Sequence, residues 1–348
     1  MKAFKLKITL LIFGTIFFSS CTKLLFTSLD VLRPAKVTFN SNANNVLLVN
    51  NTVIQPSNIG HTTQLVNEKI KSEKINTDSL AIFALGALKE DLESKNFFNS
   101  IQLSPNFLNT STDFGSINYL GNETINELCK MQGADVVISL DRIKVKDDIT
   151  EFSIAETGSY LSTLEVKYES SWSIHYPNKP EFNAIQFKDT IYWESESYFR
   201  NKGIKELPNR ADALIDGALY VGQKTVNRLV PYWEKVDRYF FHPNKKLFRQ
   251  AMDSVYVKNW ESAIATWKLA LNKSKSNWIK AQAANNIAIA YEIDGNVEKA
   301  LEYATHSYYY IDELSFVDYN SFIRISEYIN ELTQRKKDIV LLKSQLGE

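Results

Sequence analysis

The sequence has little of the residues that mark fibrous or disulfide-stabilised proteins. Two Cys, 12 Gly and 8 Pro in 348 residues exclude a disulfide-rich scaffold and a collagen-like or low-complexity chain. An excess of either charge is also absent, because 40 Lys and Arg balance 40 Asp and Glu, which excludes a globally basic nucleic-acid-binding protein. The apolar content of 44% is enough for large cores, so we expect globular domains and no nucleic-acid partner.

Residues 1–20 have the pattern of a lipoprotein signal peptide. Three lysines in the first seven residues precede the apolar run Ile8–Phe18, which is too short to span a bilayer but suits the apolar region of a signal peptide. Ser19 and Ser20 then stand directly before Cys21, and small residues before a Cys resemble a bacterial lipobox. The resemblance implies that Cys21 carries diacylglycerol and begins the mature chain. The alternative is an ordinary signal peptide with a chance Cys.

The residues after Cys21 bear on location. Thr22 and Lys23 follow it, where other lipoproteins carry an Asp that retains them at the inner membrane or an acidic run that directs them to the cell surface. By this resemblance the expected place is the outer membrane, facing the periplasm. Two acyl chains suffice for stable anchoring, so the lipid would be the protein's membrane partner.

The next two hundred residues mix helical and strand periods, which predicts an α+β fold. We expect a tether and first strand at 21–45, and then a small α/β sandwich with an antiparallel meander and a closing helix at 46–235. The predicted helices are 79–98, capped by Asp78 or Ser79, then 122–132, ended by Gly133, and 208–230. The predicted strands are 46–49, 100–103 (stopped by Pro105), 134–140 and the alternating segments between 143 and 195.

Small residues have two predicted roles in this α/β part. Gly217 and Gly222 lie within the closing helix, where they would let a neighbouring backbone approach closely. Cys129 lies on the apolar face of the second helix, where a buried core residue is expected and a redox nucleophile is the alternative. The order of elements resembles the N-terminal domain of TolB-type and CsgG-type envelope proteins.

Residues 241–348 are predicted to be helical and to contain a repeat. Aligning Ala251 with Ala288 gives an offset of 37 residues, and the segment resembles tetratricopeptide repeats, whose period is 34. The small residues Ala263, Ala300 and Ala304 occupy positions where paired helices cross closely. Residues 316–346 would form capping helices that take additional core from the helix at 208–230.

One stretch of sequence suggests a family for the whole chain. The run Arg228–Trp233 and the aromatic cluster Tyr239–Phe241 resemble an uncharacterised Bacteroidota-type outer-membrane lipoprotein family with a C-terminal tetratricopeptide-repeat tail. The resemblance implies the lipid anchor and the repeat, but it brings no known activity.

The sequence contains no recognisable catalytic motif. Its four His have no metal-ligand spacing, and no nucleophile elbow, P-loop or dinucleotide fingerprint is present. We therefore expect a protein that is not an enzyme and binds no metal or cofactor. An envelope hydrolase stays as an alternative, because a pair of acids could converge only in the fold.

The predicted function is a protein–protein interaction scaffold in the cell envelope. In the resembling repeat family the first helix of each unit lines a concave groove, which would receive an apolar or aromatic segment of an envelope protein. Carried over by register, the groove residues are Phe248, Met252, Val255, Tyr256, Asn285, Ile289 and Glu292. Aromatic packing within the repeat is the structural alternative. The other functional class is glycan or peptidoglycan binding by the α/β domain, with Trp172 and Trp193 as stacking platforms.

Overall fold

A computed structural model describes residues 23–314 and 319–348, so the predicted signal peptide and Cys21 lie outside the described residues. The chain divides into two compact units. The sheet unit is Ala35–Pro231, and the helical unit combines the residues up to Pro34 with Tyr232–Leu346. The predicted α+β class is confirmed, because the N-terminal part is rich in sheet and the C-terminal part is helical.

The elements of the described residues are numbered in chain order. The strands are β1 (Lys23–Arg33), β2 (Asn45–Asn50), β3 (His61–Gln64), β4 (Lys71–Ser72), β5 (Ser100–Phe107), β6 (Val136–Ile154), β7 (Ser159–His175), β8 (Phe182–Ser197) and β9 (Tyr232–His242). The helices are α1 (Leu80–Lys95), α2 (Asn122–Gln132), α3 (Lys202–Glu206), α4 (Arg210–Leu229), α5 (Lys246–Tyr256), α6 (Trp260–Lys273), α7 (Asn277–Ile293), α8 (Val297–Asp312) and α9 (Tyr319–Leu346).

Seven described strands of the sheet unit form one mixed sheet. Five of them follow the order β4-β3-β6-β2-β5, and β7 pairs with β6 and β8 with β7 outside this order. β2 runs parallel to both β5 and β6, and β3 runs parallel to β6. The long strands β6, β7 and β8 are antiparallel neighbours, which confirms the meander predicted from the alternating sequence.

Helices cover both faces of the central strands because the residues of β2 are buried on both sides. Val46 and Leu48 belong to a core with α1 and α4, and Leu47 and Val49 belong to a second core with α2. Cys129 of α2 is buried in the second core, as predicted, and burial raises the pKa of its thiol. The α2 helix ends at Gly133, which has a left-handed φ of 63°.

The predicted close approach at the α4 glycines is confirmed. A Cβ at Gly217 would lie 2.0 Å from the Tyr168 ring of β7, and one at Gly222 would lie 2.2 Å from the Ala84 carbonyl oxygen of α1. The Tyr168 hydroxyl donates a 2.9 Å hydrogen bond to the Leu214 carbonyl. Glycine therefore fixes how closely α4 packs on both the sheet and α1.

One local prediction in the sheet unit is wrong, and a second is confirmed only in part, since Ser79 is the N-cap residue of α1 without a side-chain cap. Pro105 does not stop β5, which continues to Phe107. β5 is an edge strand with a register shift against β2 at this point, and a strand edge is where the missing N–H of proline is tolerated. The side chain of Ser79 makes no cap hydrogen bond at α1.

The segment predicted as a tether and first strand, 21–45, does contain a strand, but this strand is Lys23–Arg33 and belongs to the helical unit, so the tether is wrong. β1 pairs with β9 in continuous antiparallel register from Lys23–His242 to Arg33–Tyr232. β9 itself occupies a segment that we predicted to end the α/β domain and lead into the helices. The sequence did not reveal the pairing of these strands, because each lies about two hundred residues from its partner along the chain.

In the described residues the helical unit continues as the five helices α5 to α9, each packed against the next. The turns that precede α6 and α8 are alike, with positive φ at Lys258 and Gly295. Asn259 and Asn296, 37 residues apart, cap these helices by accepting a hydrogen bond from the backbone N–H of Ser262 and of Lys299 respectively. This spacing equals the predicted offset, while membership of the tetratricopeptide family stays a prediction.

The strands also complete the cores of the helical unit. Phe240 and Phe241 of β9 are buried among helical residues, and Leu24 and Leu25 of β1 pack against the same cores. The predicted source of this additional core was α4, whose buried residues belong to the core of the sheet unit. Within the helical unit, β1 and β9 supply this additional core.

Candidate functional site

The structure does not bring the predicted groove residues together as an open surface. Four of them are buried in the core or against a neighbouring element with exposures of 0–3%, namely Phe248, Met252, Ile289 and Glu292, and Asn285 is equally buried. Val255 is partly buried, and only Tyr256, at 71%, is exposed. The face of α7 that we predicted to receive a partner packs against β9 of the same chain.

Asparagine side chains of α7 hold the main chain of β9. The Asn286 side chain accepts a 2.8 Å hydrogen bond from the Phe241 N–H and donates a 2.8 Å hydrogen bond to the Phe241 carbonyl. Asn285 donates to the Tyr239 carbonyl at 3.3 Å. These hydrogen bonds are made to backbone atoms of β9 and not to its side chains. The helix therefore binds β9 through its extended main chain. Sequence reasoning missed Asn286, although two adjacent Asn in an alanine-rich helix could have signalled buried amides.

Glu292 is the charged centre of the same face. Arg238 of β9 donates to its two oxygens at 2.7 and 2.9 Å, and the Tyr328 hydroxyl donates at 2.8 Å. Arg335 makes a further ion pair. Burial alone would raise the pKa of Glu292, but the hydrogen bond and charge of Arg238, together with the charge of Arg335, outweigh it and lower the pKa. The carboxylate is therefore fully engaged within the chain.

A second arginine extends this network to β1. Arg33 contacts Glu234 at 2.7 Å, Glu331 at 3.1 Å and Asp338 at 3.4 Å. Glu331 also accepts from Arg238 at 2.7 Å. Helix α9 is thus joined to both strands by ion pairs that are mostly shielded from solvent, and the β1–β9 ribbon is an integral part of the helical unit.

The hydrogen bonds of Phe241 reveal which edge of the ribbon is free. In an antiparallel pair the backbone groups of alternate residues point outward. Because the Phe241 N–H and carbonyl face α7, the partner residue Leu24 directs its own groups away from β9. Continuous register gives the same orientation to every second residue of β1: Leu24, Phe26, Ser28, Asp30 and Leu32. No described strand pairs with this edge.

In the sheet unit, a cluster of buried polar side chains lies at the end of the parallel pairing between β2 and β6. The buried Asp141 carboxylate accepts from Ser173 at 2.6 Å, Ser139 at 2.7 Å and Asn51 at 2.9 Å. Burial raises the pKa of Asp141, and burial lowers the pKa of His175 to about 4.

The arrangement of this buried cluster differs from a nucleophilic triad. Ser173 Oγ lies between Asp141 and His175, 2.7 Å from His175 Nε2, whereas a triad places the histidine between the serine and the acid. Ser173 is also completely buried. The cluster therefore fixes the sheet and gives no exposed nucleophile.

The predicted stacking platforms are not available as such. Trp172 is completely buried and donates a 3.0 Å hydrogen bond to Ser170 Oγ, so its part in the glycan hypothesis is wrong. Trp193 is partly buried and packs against the core. The sequence could not separate these outcomes, because both residues lie in alternating strands.

The outer face of the meander carries a recessed basic surface. A trough of about 510 Å³ is lined by four lysines, which are Lys144 and Lys146 of β6, Lys167 of β7 and Lys188 of β8, and we call these four residues the lysine trough. The remaining lining residues are Tyr168, Glu169, Asp189 and Thr190. Sequence reasoning missed it because the four lysines come from three strands.

The histidines do not form a metal site in the part of the chain that the structure describes, where no three His, Cys, Asp or Glu side chains converge in a suitable way. His61 is buried against Asp147, which also lies 2.8 Å from Arg210. Among the described helices, none has the length and hydropathy needed to cross a bilayer.

Comparison with known proteins identifies a family but no activity. The chain belongs to the family described as a domain of unknown function (DUF8603), whose profile matches residues 43–241. A second domain of unknown function (DUF6340) matches residues 249–334. No curated protein matches the chain. One solved structure, titled "Crystal structure of uncharacterized protein", is 11% identical over 53% of this chain and 92% of that chain, with a TM-score of 0.23, which is too low to carry an argument.

Proposed function

We propose that this protein is a lipid-anchored, non-enzymatic scaffold of the cell envelope that binds a partner protein through its helical unit. The observation that carries the proposal is the outer edge of β1. The partner is an envelope protein that contributes an extended segment, and this segment pairs with the outward backbone groups of β1.

The free edge has the properties of a template for strand addition. β1 is 11 residues long, contains no proline and pairs with β9 without a bulge. Natural proteins usually protect such an edge with a bulge, a proline or a covering element, because unpaired backbone groups recruit other strands. Strand addition supplies affinity through main-chain hydrogen bonds and specificity through side chains. The 73% exposed ring of Phe26 is available for that specificity.

The helical unit supports the same proposal by its construction. Its two like turns at a spacing of 37 residues support a tetratricopeptide-like arrangement, and α7 already holds one extended segment by its backbone. In this proposal β9 occupies the position of a groove ligand. The proposed binding surface is therefore the outer edge of β1 and not the α7 face, which β9 occupies.

The anchor would place this edge close to the membrane. Cys21 precedes the first residue of β1 by two positions, a span of at most about 7 Å. In this proposal Cys21 is acylated and the chain is held at the periplasmic face of the outer membrane. Cys21→Ala should leave the protein unprocessed or free of membranes. Normal membrane fractionation without an acyl group on Cys21 would contradict the anchoring.

A proline scan distinguishes the two edges of β1. Ser28→Pro removes an N–H that points away from β9, so the helical unit should fold and partner binding should be lost. Ser28→Ala keeps that N–H and controls for the hydroxyl, which donates to Asp237 at 2.6 Å. Thr27→Pro removes an N–H that faces β9 and should disrupt the ribbon itself.

The readout is photocrosslinking in cells with a photoreactive residue at Phe26. We expect one product of defined mass in the wild-type background and with Ser28→Ala, and its loss with Ser28→Pro. Circular dichroism and thermal unfolding of the purified variants establish that the fold is intact. An undiminished product in folded Ser28→Pro protein would refute strand addition.

A further inference from the structure

The lysine trough is a feature of the sheet unit that the proposed partner binding does not use. β6, β7 and β8 are paired so that Lys144 lies opposite Glu169, which lies opposite Lys188. In the next row on the same face, Lys146 lies opposite Lys167, which lies opposite Thr190. Four ammonium groups and the Glu169 carboxylate thus share two adjacent rows of the outer face, and Asp189 also lines the trough, so the lysines remain in excess.

The fold leaves part of this positive charge without compensation. Lys188 pairs with Glu169 at 3.3 Å and Lys167 pairs with Glu165. Lys144 and Lys146 make no ion pair within the part of the chain that is described. Lys146 and Lys167 are moreover directly opposite each other, an arrangement in which like charges destabilise a sheet. An anion bound above these residues would remove that repulsion.

The shape of the surface selects the kind of anion. The trough of about 510 Å³ falls within the range of about 300–1,000 Å³ that small-molecule sites occupy. A recessed site admits a compact solute more readily than the broad surface of a bilayer. Along β6 the two uncompensated lysines are separated by about 7 Å, since each strand residue advances about 3.3 Å. This spacing suits neighbouring phosphate groups of one molecule.

We propose that the lysine trough binds a soluble molecule that carries two or more phosphate groups. Lys144 and Lys146 supply the charge that the protein itself does not neutralise, and Lys167 and Lys188 border the same anion. Thr190 adds a hydroxyl donor at the end of the second row. The inference is independent of partner binding at β1, because the trough is built entirely from residues of the sheet unit.

Isothermal titration calorimetry tests the inference, with tripolyphosphate titrated into the detergent-solubilised full-length protein. We expect saturable binding that weakens as salt rises. The double variant Lys144→Gln/Lys146→Gln should raise Kd at least tenfold. The matched control Lys89→Gln/Lys95→Gln removes the same charge from α1 and should leave Kd unchanged. Glu169→Gln removes the carboxylate between two trough lysines and should lower Kd.

Each other outcome overturns the inference. Absence of tripolyphosphate binding by the wild-type protein, or equal weakening by the trough and control variants, would show that no specific site exists. Binding to vesicles of phosphatidylglycerol that depends on Lys144 and Lys146, without binding of tripolyphosphate, would replace the soluble occupant with a membrane. Thermal unfolding of each variant verifies that a lost signal is not lost fold.

Discussion

The two units bury a carboxylate in opposite ways. In the sheet unit Asp141 is surrounded by hydroxyl and amide donors, and burial raises its pKa. In the helical unit Glu292 is held by Arg238 and Arg335, and its pKa is lowered in spite of its burial. The neutral donors around Asp141 lower its pKa by less than burial raises it, whereas the guanidinium groups around Glu292 outweigh the effect of burial. The Asp141 cluster therefore depends on neutral hydrogen bonds, and the Glu292 cluster depends on paired charges.

The largest expected effect comes from removing a charge of the helical unit. Arg238→Met leaves Glu292 buried with one of its two arginines missing, and breaking a buried pair costs about 3–5 kcal/mol. Lys336→Met is the matched control, because its 3.1 Å pair with Glu298 is exposed and should contribute less than about 1 kcal/mol. Hydrogen exchange monitored by mass spectrometry reports each unit separately. Equal losses for both variants would contradict the role of the buried pair.

A steric change should act on the sheet unit. Gly217→Ala places a methyl group where the Tyr168 ring lies 2.0 Å away, and we expect a loss of about 3 kcal/mol, the upper part of the usual range for overpacking. Gly86→Ala is the control within α1, where a Cβ meets nothing within 4 Å, so stability should rise by about 0.5–1 kcal/mol. Denaturant unfolding measures both. A tolerated Gly217→Ala would mean that the α4 packing can shift.

The stability of the sheet unit and that of the helical unit should depend differently on pH. The pKa of His175 is about 4 in the fold, below its ordinary value, so the unfolded chain binds the proton more readily. Stability of the sheet unit should fall as the pH drops from about 6.5 to 4, by up to about 3 kcal/mol. The raised pKa of Asp141 acts with the opposite sign, because the fold then retains a proton that is lost as the pH rises.

The variant His175→Gln isolates the histidine contribution. Its sheet unit should lose less stability between pH 6.5 and 4 than the wild type does, as followed by hydrogen exchange. In the helical unit, the lowered pKa of Glu292 contributes stability that is lost only as the pH falls through that lowered value. An unchanged pH profile in His175→Gln would assign the acid sensitivity to another group.

The smallest expected effects test the internal similarity of the helical unit. Asn259→Ala and Asn296→Ala each remove a side-chain cap in the two like turns, and each should cost about 1 kcal/mol. Ser79→Ala in the sheet unit is the control, because Ser79 makes no cap hydrogen bond at α1. Thermal unfolding compares the three. Clearly unequal costs at the two asparagines would weaken the case for a structural repeat.

Local patterns predicted the parts of the fold that are stabilised locally. The α2 boundaries and the meander follow from periodicity, because neighbours along the chain decide them. The close packing at the two α4 glycines was predicted from their small size, although their contacts are with Tyr168 and Ala84 of other elements. The pairing of β1 with β9 escaped prediction, since it joins two distant parts of the chain. A strand whose partner lies about two hundred residues away leaves no signal within a short window.

The candidate sites were less predictable for the same reason. Register correctly placed Asn285, Ile289 and Glu292 along α7, but it could not show that β9 covers them. Trp172 and Trp193 alternate in similar strands, yet the sheet buries one completely. The lysine trough needs three strands in register. A one-dimensional pattern identifies which residues share an element, and only the fold decides which of them meet or remain exposed.

The pairing of β1 with β9 has a consequence for the order of biogenesis. During synthesis β1 emerges first, but its partner appears only after the whole sheet unit has been made, and the helices that hold β9 come later still. The sheet unit can therefore fold as an insertion between the two strands. Until β9 has been made, both edges of β1 remain open. The entropic cost of bringing β1 and β9 together grows only slowly with the number of residues between them. Folding of the sheet unit between them reduces the length of flexible chain that separates the two strands. In this interval both edges of β1 can pair with other extended segments.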